Sequence, residues 1–192
     1  MRHALAAWAA PDTAQEALRQ EFLARCGQGP TALRREGRPS HLTASGVVLD
    51  VSRQAVLLVL HRKLGLWLQP GGHLEDGDDS LADAALREAV EETGVPDLRL
   101  VSTAPVHLDR HAAPCGAEHH LDVRFLVEAP DGAVPTVSEE SLDVGWFPLD
   151  ALPVQRSVDL EAMITAALTA AGAPPRSRAP AAPRPATAGE PR

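Results

Sequence analysis

Apolar positions recur at helical spacing near the start of the chain. Residues 12–25 carry Ala14, Ala17, Leu18, Phe22 and Leu23 at intervals of three and four, which predicts an amphipathic helix. Gly27, Gly29 and Pro30 follow at once and end it.

The middle of the chain contains short apolar runs rich in Val and Leu that are typical of strands. We predict strands at 43–50, 54–60, 66–69, 98–103, 106–109, 120–128 and 144–147, and a closing helix over 158–171. Strands interrupted by one helix and closed by another indicate an α/β fold with a mixed sheet between helices.

The helix predicted between the strands at 66–69 and 98–103 has one apolar face and a second face that changes from apolar to acidic along its length. The second face begins with Leu81, Ala84 and Ala85 and continues with Glu88, Glu91 and Glu92. The opposite side, formed by Ala82, Leu86, Ala89 and Val90, is suited to packing on a sheet. Asp79 or Ser80 supplies an N-cap and Gly94 a left-handed stop.

The three glutamates are costly for a helix on its own. Like charges at this spacing repel by roughly 0.2–0.5 kcal/mol per pair, and the helix dipole disfavours anions at its C-terminal end. A tight turn at 70–72, Pro-Gly-Gly, precedes the helix and allows close backbone approach. Mg²⁺ prefers such carboxylate oxygens, so the pattern indicates a cation site, with a solvated acidic helix as the alternative.

Taken as a whole, the segment resembles the signature sequence of the MutT-like Nudix hydrolases, G-x5-E-x7-R-E-U-x-E-E-x-G-U, where U is a bulky aliphatic residue. Its second half, Arg87 to Val95, follows that pattern throughout, with the small Ala89 in a U position. Counted from Gly72, the first acidic position is Asp78 instead of Glu, and eight residues separate it from Arg87. We interpret this as one extra residue in the loop before the helix, because using Asp79 would put His73 in the Gly position.

The resemblance implies a Nudix-type α/β/α sandwich with a mixed sheet. It implies that Glu88, Glu91 and Glu92 bind divalent metal, with the Gly71 carbonyl as a further ligand. Arg87 would hold the glutamates by ion pairing, and Glu75 would steady the loop. Asp78 is shorter than Glu, which leaves its contact open.

Length and composition suit one domain with extensions. We predict an N-terminal helical extension at 1–39, a Nudix domain at 40–172 and a disordered tail rich in Pro, Ala and Arg at 173–192. The two cysteines, Cys26 and Cys115, form no disulfide framework, and neither a signal peptide nor a long apolar span is evident. A cytoplasmic protein is expected.

The negative charge is concentrated in the signature segment. Residues 71–95 hold eight acidic residues and one Arg, a net charge of −7, against −8 for the whole chain. Without a basic stripe, a nucleic-acid polymer is an unsuitable partner. We expect a small phosphorylated molecule as substrate and no membrane partner; a homodimer is compatible with this.

A second group of metal-binding residue types lies at His107, His111, Cys115, His119 and His120. The spacing by fours up to His119 would suit zinc on a helix, but Pro105, Pro114 and Gly116 oppose one. As strands, the segment would place His107 and Asp109 on one side and His120, Asp122 and Arg124 on one face. Structural zinc, substrate contacts including Arg124 on phosphate, and ordinary polar faces remain open.

The expected reaction is hydrolysis of a diphosphate linkage. Mg²⁺, or alternatively Mn²⁺, held by the carboxylates would bridge phosphate oxygens, neutralise developing charge and lower the pKa of a bound water. The general base is a signature glutamate or one of the pair Glu139 and Glu140, for which a solvated loop is the alternative. We place Glu140 among the candidates for catalysis.

A nucleoside would need a stacking surface, and the chain has no Tyr, three Trp and three Phe. Trp67, Phe125 and Trp146 are the candidates, although aromatic residues in strands usually belong to the core. Two alternative functions accompany the fold: a prenyl-diphosphate isomerase, which would need Cys115 as a reactive thiol, and a non-catalytic recognition or regulatory module. The intact glutamates argue against the module, and a Cys115→Ala variant would distinguish isomerase from hydrolase.

Overall fold

A computed structural model describes residues 1–172, and it confirms the α/β class. The tail predicted at 173–192 lies outside the described residues. The helices are α1 (Arg2–Ala7), α2 (Thr13–Cys26), α3 (Leu81–Thr93) and α4 (Leu160–Ala170), with a 3₁₀ turn at Pro30–Leu33. The strands are β1 (Ser40–Leu49), β2 (Ala55–His61), β3 (Trp67–Leu68), β4 (Gly71–His73), β5 (Arg99–Leu100), β6 (His107–Ala112), β7 (His119–Glu128) and β8 (Ser141–Pro148).

The strands form one mixed sheet centred on β1. The strand order is β3-β2-β1-β7-β5, with β4 paired to β1, β6 to β7 and β8 to β2. Among the strand pairs of residues 1–172, β1 with β7 is the only parallel one. The first half of β1 pairs with β4 and its second half pairs with β2. Strands β2 and β4 therefore pair with different parts of the same strand, and the sheet divides between them.

Alternation along β1 assigns its two faces to different helices. Leu42 and Ala44 lie in an apolar cluster with residues of α1, α2 and α3, whereas Val47 and Leu49 lie in one with residues of α4. Period-two alternation puts His41, Thr43 and Ser45 on the α4 side, and all three are buried. The half of this face outside the apolar cluster is therefore polar.

The N-terminal helix is confirmed, with Asp12 as its cap through the backbone N–H of Gln15. Gln15 itself is buried, and its side chain donates to the Leu108 carbonyl and accepts from the Leu108 N–H. It thereby completes the pairing of β6, an edge strand. Helix α1 was not predicted. Within residues 1–172, no helix combines the length and apolarity needed to cross a membrane.

Several strand boundaries differ from the prediction because pairing partners, not local composition, set them. Strand β4 lies where we predicted only a turn, since Gly71–His73 pairs with Thr43–Ser45. Strand β6 continues to Ala112 opposite His119. Strand β5 is only Arg99–Leu100, because these residues alone pair with β7.

Candidate active site

Three glutamates project from the last turns of α3 with different exposure. The Glu92 residue is 7% exposed, while the side chains of Glu88 and Glu91 are 12% and 58% exposed. The helix is fixed at both ends, because Ser80 accepts from the Asp83 N–H and Gly94 is left-handed at φ 65°. Its register therefore sets where the carboxylates lie.

Strand β4 approaches these carboxylates closely. The Gly71 N–H donates to Glu92 Oε2 at 3.0 Å. A Cβ at Gly71 would lie 2.7 Å from Ser45 Cα and 2.8 Å from the Ala44 carbonyl oxygen, and a Cβ at Gly72 would lie 2.6 Å from Glu88 Oε1 and displace that carboxylate. The two glycines thus let backbone replace side chain beside the acidic cluster.

Arg87 joins the cluster to the preceding loop. Its guanidinium forms a two-pronged ion pair with Asp78, both distances being 3.0 Å. It also donates to Glu88 at 3.0 Å, to Glu91 at 3.1 Å and to the His73 carbonyl at 3.0 Å. Asp78 additionally accepts from the Glu75 N–H. Sequence analysis did not predict a partner for Asp78, and the structure shows that this partner is Arg87. Glu75 contributes to the loop through its backbone N–H.

Burial disfavours ionisation of the two inner carboxyl groups, those of Glu88 and Glu92. It raises the pKa of Glu88 to about 7 and that of Glu92 to about 8, and the charges of Glu91 and Glu140 add to the effect. A bound cation would offset both the burial and the repulsion. An all-oxygen set of this kind fits Mg²⁺ or Mn²⁺.

These residues border a cavity of about 940 Å³. Its wall includes all three glutamates and Glu140, but not Glu139. It also includes four cationic side chains, namely Arg34, Arg35, Arg62 and Lys63. Arg62 donates to the carbonyls of Glu139 and Ser141, which ties the turn after β2 to the segment that carries Glu140.

Three predicted substrate residues do not face this cavity, and we correct them here. Arg124 is 2% exposed and is paired with Asp122, Asp109 and Asp159, so its guanidinium is out of reach of the cavity and its charge is already compensated by three carboxylates. Burial raises the pKa of Asp122, but the Arg124 guanidinium outweighs this and the net shift is downward. The Asp122 carboxylate also accepts from Ser45 at 2.8 Å.

The aromatic candidates belong to the packing. Phe125 is fully buried in the cluster beneath α3. Trp67 packs edge-on against Phe147, and Trp146 donates to the Ala133 carbonyl at 2.9 Å. Within residues 1–172, no Trp or Phe lines the cavity.

The histidine-rich segment is not helical, so the spacing by fours has no structural meaning. His107 and His111 lie on β6, and His119 and His120 on β7. Successive side chains of β7 point to opposite faces of the sheet, so His119 and His120 lie on different faces. His119 contacts Arg110. Instead, Cys115 and His120 meet His41 and His73, with all four ligand atoms within 4.8 Å of one another.

Sequence reasoning missed His41 and His73 because β1 and β4 bring them in from distant positions. The available signal was the alternation of β1, which puts His41 on the polar face. Burial lowers the pKa of His73 to about 4 and that of His120 to about 3. The rings are therefore neutral near pH 7.

Comparisons with known proteins agree with this geometry. The family model of the NUDIX domain matches residues 39–167. The chain is 47% identical over 72 residues to "Nucleoside diphosphate-linked moiety X motif 6" of Mus musculus, which covers 36% of this chain and 22% of that protein. It is 28% identical over 113 residues to "NAD-capped RNA hydrolase NudC" of Erwinia tasmaniensis, covering 56% and 40% respectively. The chain thus spans less than half the length of these relatives.

A solved NUDIX-family hydrolase from Clostridium perfringens has the same fold. It superposes with a TM-score of 0.58 at 23% identity, over 68% of this chain and 97% of that one. The mixed sheet with flanking helices is common to both, and the family match takes in more than half of the chain. The resemblance inferred from Gly72 to Val95 is confirmed: this chain belongs to the Nudix family.

Proposed function

We propose that the protein is a Mg²⁺-dependent pyrophosphohydrolase that cleaves a diphosphate linkage in a nucleoside-diphosphate-linked or related small molecule. The observation that carries this proposal is the pair of the buried Glu92 and the largely buried Glu88 at the wall of a large cavity, with pKa values raised to about 8 and about 7. Two such carboxyls together are costly unless a cation binds there.

Glu88, Glu91 and Glu92 would hold the metal, with the Gly71 carbonyl as a further ligand. Bound Mg²⁺ supplies charge neutralisation at the phosphates and makes a water molecule more acidic, and Mn²⁺ is a chemical substitute. The Gly71 N–H fixes one oxygen of Glu92, which leaves the other oxygen for the cation. Arg87 orients Glu88 and Glu91 and is itself held by Asp78.

Glu140 is our candidate for the general base. Two observations support this: Glu140 lines the cavity, and its charge raises the pKa of both Glu88 and Glu92. Glu140 is exposed to solvent, so its carboxylate is accessible to water. It is thus able to accept a proton from the attacking water.

The cavity wall favours a substrate with several phosphates. Its volume lies in the usual range for small-molecule sites, and Arg34, Arg35, Arg62 and Lys63 can pair with phosphates beyond those at the glutamates. Gln69 also lines it, and Gln69 Oε1 is buried without a hydrogen-bond partner among residues 1–172. A substrate hydroxyl or amine could donate to this oxygen.

One of the relatives is named for a nucleoside-diphosphate-linked moiety, which supports the substrate class proposed here. The other is named for NAD-capped RNA, a nucleic-acid polymer, so NAD-capped RNA is included in the substrate panel as a separate outcome. We propose that the protein is soluble and cytoplasmic and that it acts on a small molecule. We propose neither a nucleic-acid polymer nor a membrane as its partner.

The test is a substrate panel in Mg²⁺ or Mn²⁺ with products identified by mass spectrometry. It contains nucleoside triphosphates, dinucleoside polyphosphates, nucleotide sugars, dinucleotides, NAD-capped RNA and prenyl diphosphates, with phosphate monoesters as controls. We expect cleavage of at least one small diphosphate and none of the monoesters. Phosphate release from monoesters as the main activity, or binding without turnover across the panel, would contradict the proposal.

A further inference from the structure

A cluster of three histidines and a cysteine lies beside the acidic site and has no part in the proposed hydrolysis. Its members come from four elements: His41 from β1, His73 from β4, Cys115 from the loop between β6 and β7, and His120 from β7. His41 and His120 are direct neighbours in the parallel pairing of β1 with β7. The sheet therefore fixes their positions.

The spacing of the four ligand atoms fits one tetrahedral ion. His41 Nε2 lies 3.1 Å from His73 Nε2 and 3.6 Å from Cys115 Sγ, and Cys115 Sγ lies 3.2 Å from His120 Nε2. Zinc bonds of ordinary length in a regular tetrahedron put nitrogen atoms ~3.3 Å apart and nitrogen and sulfur ~3.6 Å apart. These three distances are close to those values, and the remaining pairs of ligand atoms lie within 4.8 Å of each other, so the side chains would have to draw together around a bound ion.

Hydrogen bonding alone does not satisfy the cluster. His41 Nδ1 lies 3.2 Å from the Gly37 carbonyl, which can only accept, so this nitrogen carries the proton and Nε2 offers a single lone pair. Both His73 Nε2 and Cys115 Sγ lie close to that lone pair. The lone pair accepts one hydrogen bond, so only one of these two groups can donate to it. A cation would engage every ligand atom together, and a carbonyl bonded to the far ring nitrogen is typical of histidines that bind metal.

We propose that His41, His73, Cys115 and His120 form a structural zinc site. Imidazole and thiolate together suit Zn²⁺ better than Mg²⁺, and four protein ligands leave no open position for chemistry. His73, Cys115 and His120 line the cavity, so the ion would fix the loop at 113–118 as part of its wall. The site is separate from the glutamates and does not depend on the proposed hydrolysis.

The first test is the metal content of untagged protein after incubation with Zn²⁺ and dialysis, measured by inductively coupled plasma mass spectrometry. We expect about one Zn²⁺ per chain in wild type, and well below half of that in Cys115→Ser and His73→Asn. Cys26→Ser changes the other cysteine, which is half-buried on α2 and outside the cluster, and should keep the full amount. Glu92→Gln should keep it too, because Glu92 belongs to the other site.

The second test uses wild type alone and therefore does not depend on the folding of a variant. Co²⁺ in place of Zn²⁺ should give the intense visible bands of a tetrahedral complex and a thiolate-to-cobalt charge-transfer band. Wild type that binds no Zn²⁺, zinc retained in both cluster variants, or a cobalt complex without the thiolate band would each overturn the proposal. A loss of zinc in Glu92→Gln would instead assign the ion to the acidic site.

Discussion

Replacing Glu92 with Gln should stabilise the metal-free protein at alkaline pH and remove its response to Mg²⁺. Gln keeps the shape of Glu92 and can still accept from the Gly71 N–H at the 3.0 Å position. It cannot ionise. The variant therefore removes the buried charge while leaving the packing of α3 in place.

The size of the effect follows from the pKa of Glu92, which burial raises from its usual 4.5 to about 8. A raised pKa means that the folded state holds the proton more tightly than the unfolded state does. The associated stability is full below about pH 4.5 and is lost as the pH rises to about 8. At 1.36 kcal/mol per unit of pKa, the loss is on the order of 3–5 kcal/mol.

The assay is denaturant unfolding in EDTA at several pH values between 5 and 9. Wild type and Glu92→Gln should have similar unfolding free energies near pH 5, and the variant should become more stable as the pH rises. Glu91→Gln is the matched control, because Glu91 lies one residue away with its side chain 58% exposed; its effect should stay below about 1 kcal/mol.

Adding Mg²⁺ should reverse the order, because a ligand that binds only the folded state stabilises it and the variant lacks one carboxylate. Parallel pH profiles for wild type and Glu92→Gln in EDTA would refute the claim that this carboxyl is buried at an ionisation cost.

Three further predictions concern other parts of the molecule. Arg124→Met leaves Asp109, Asp122 and Asp159 without their shared cation and should lower the unfolding free energy by about 3–5 kcal/mol in a urea titration; an unchanged midpoint would show that these ion pairs are dispensable. Gln15→Leu leaves the Leu108 N–H and carbonyl without their side-chain partner and should cost about 2 kcal/mol, whereas the exposed Gln20→Leu should cost far less in the same titration. Glu140→Gln should lower kcat by about 10²–10⁴ with little change in KM, and an unaltered kcat would assign the proton transfer to another group.

The sequence was most informative where local chemistry decides the structure. The limits of α3 follow from Ser80 as the cap and Gly94 at φ 65°, and the face of the glutamates follows from helical spacing. The family assignment, which the comparisons confirm, depended on the same residues.

The sequence was less informative where distant segments meet. Alternation put Arg124 on the correct strand face, but it could not show that Asp159, next to α4, would join Asp109 and Asp122 in occupying its guanidinium. For the same reason, sequence analysis found Cys115 and His120 but not their neighbours His41 and His73. These two histidines reach Cys115 only through the pairing of β1 with β4 and β7. Such contacts are set by strand register, which local composition does not encode.

The most direct test of the central claim is turnover of the best diphosphate substrate as a function of Mg²⁺ concentration, for wild type, Glu91→Gln and Glu92→Gln. Circular dichroism and the unfolding midpoint in EDTA would establish that each variant is folded. We predict that kcat/KM falls by orders of magnitude in both variants, because each loses a ligand charge at the metal. Full Mg²⁺-dependent activity in both would contradict the assignment of α3 as the metal site.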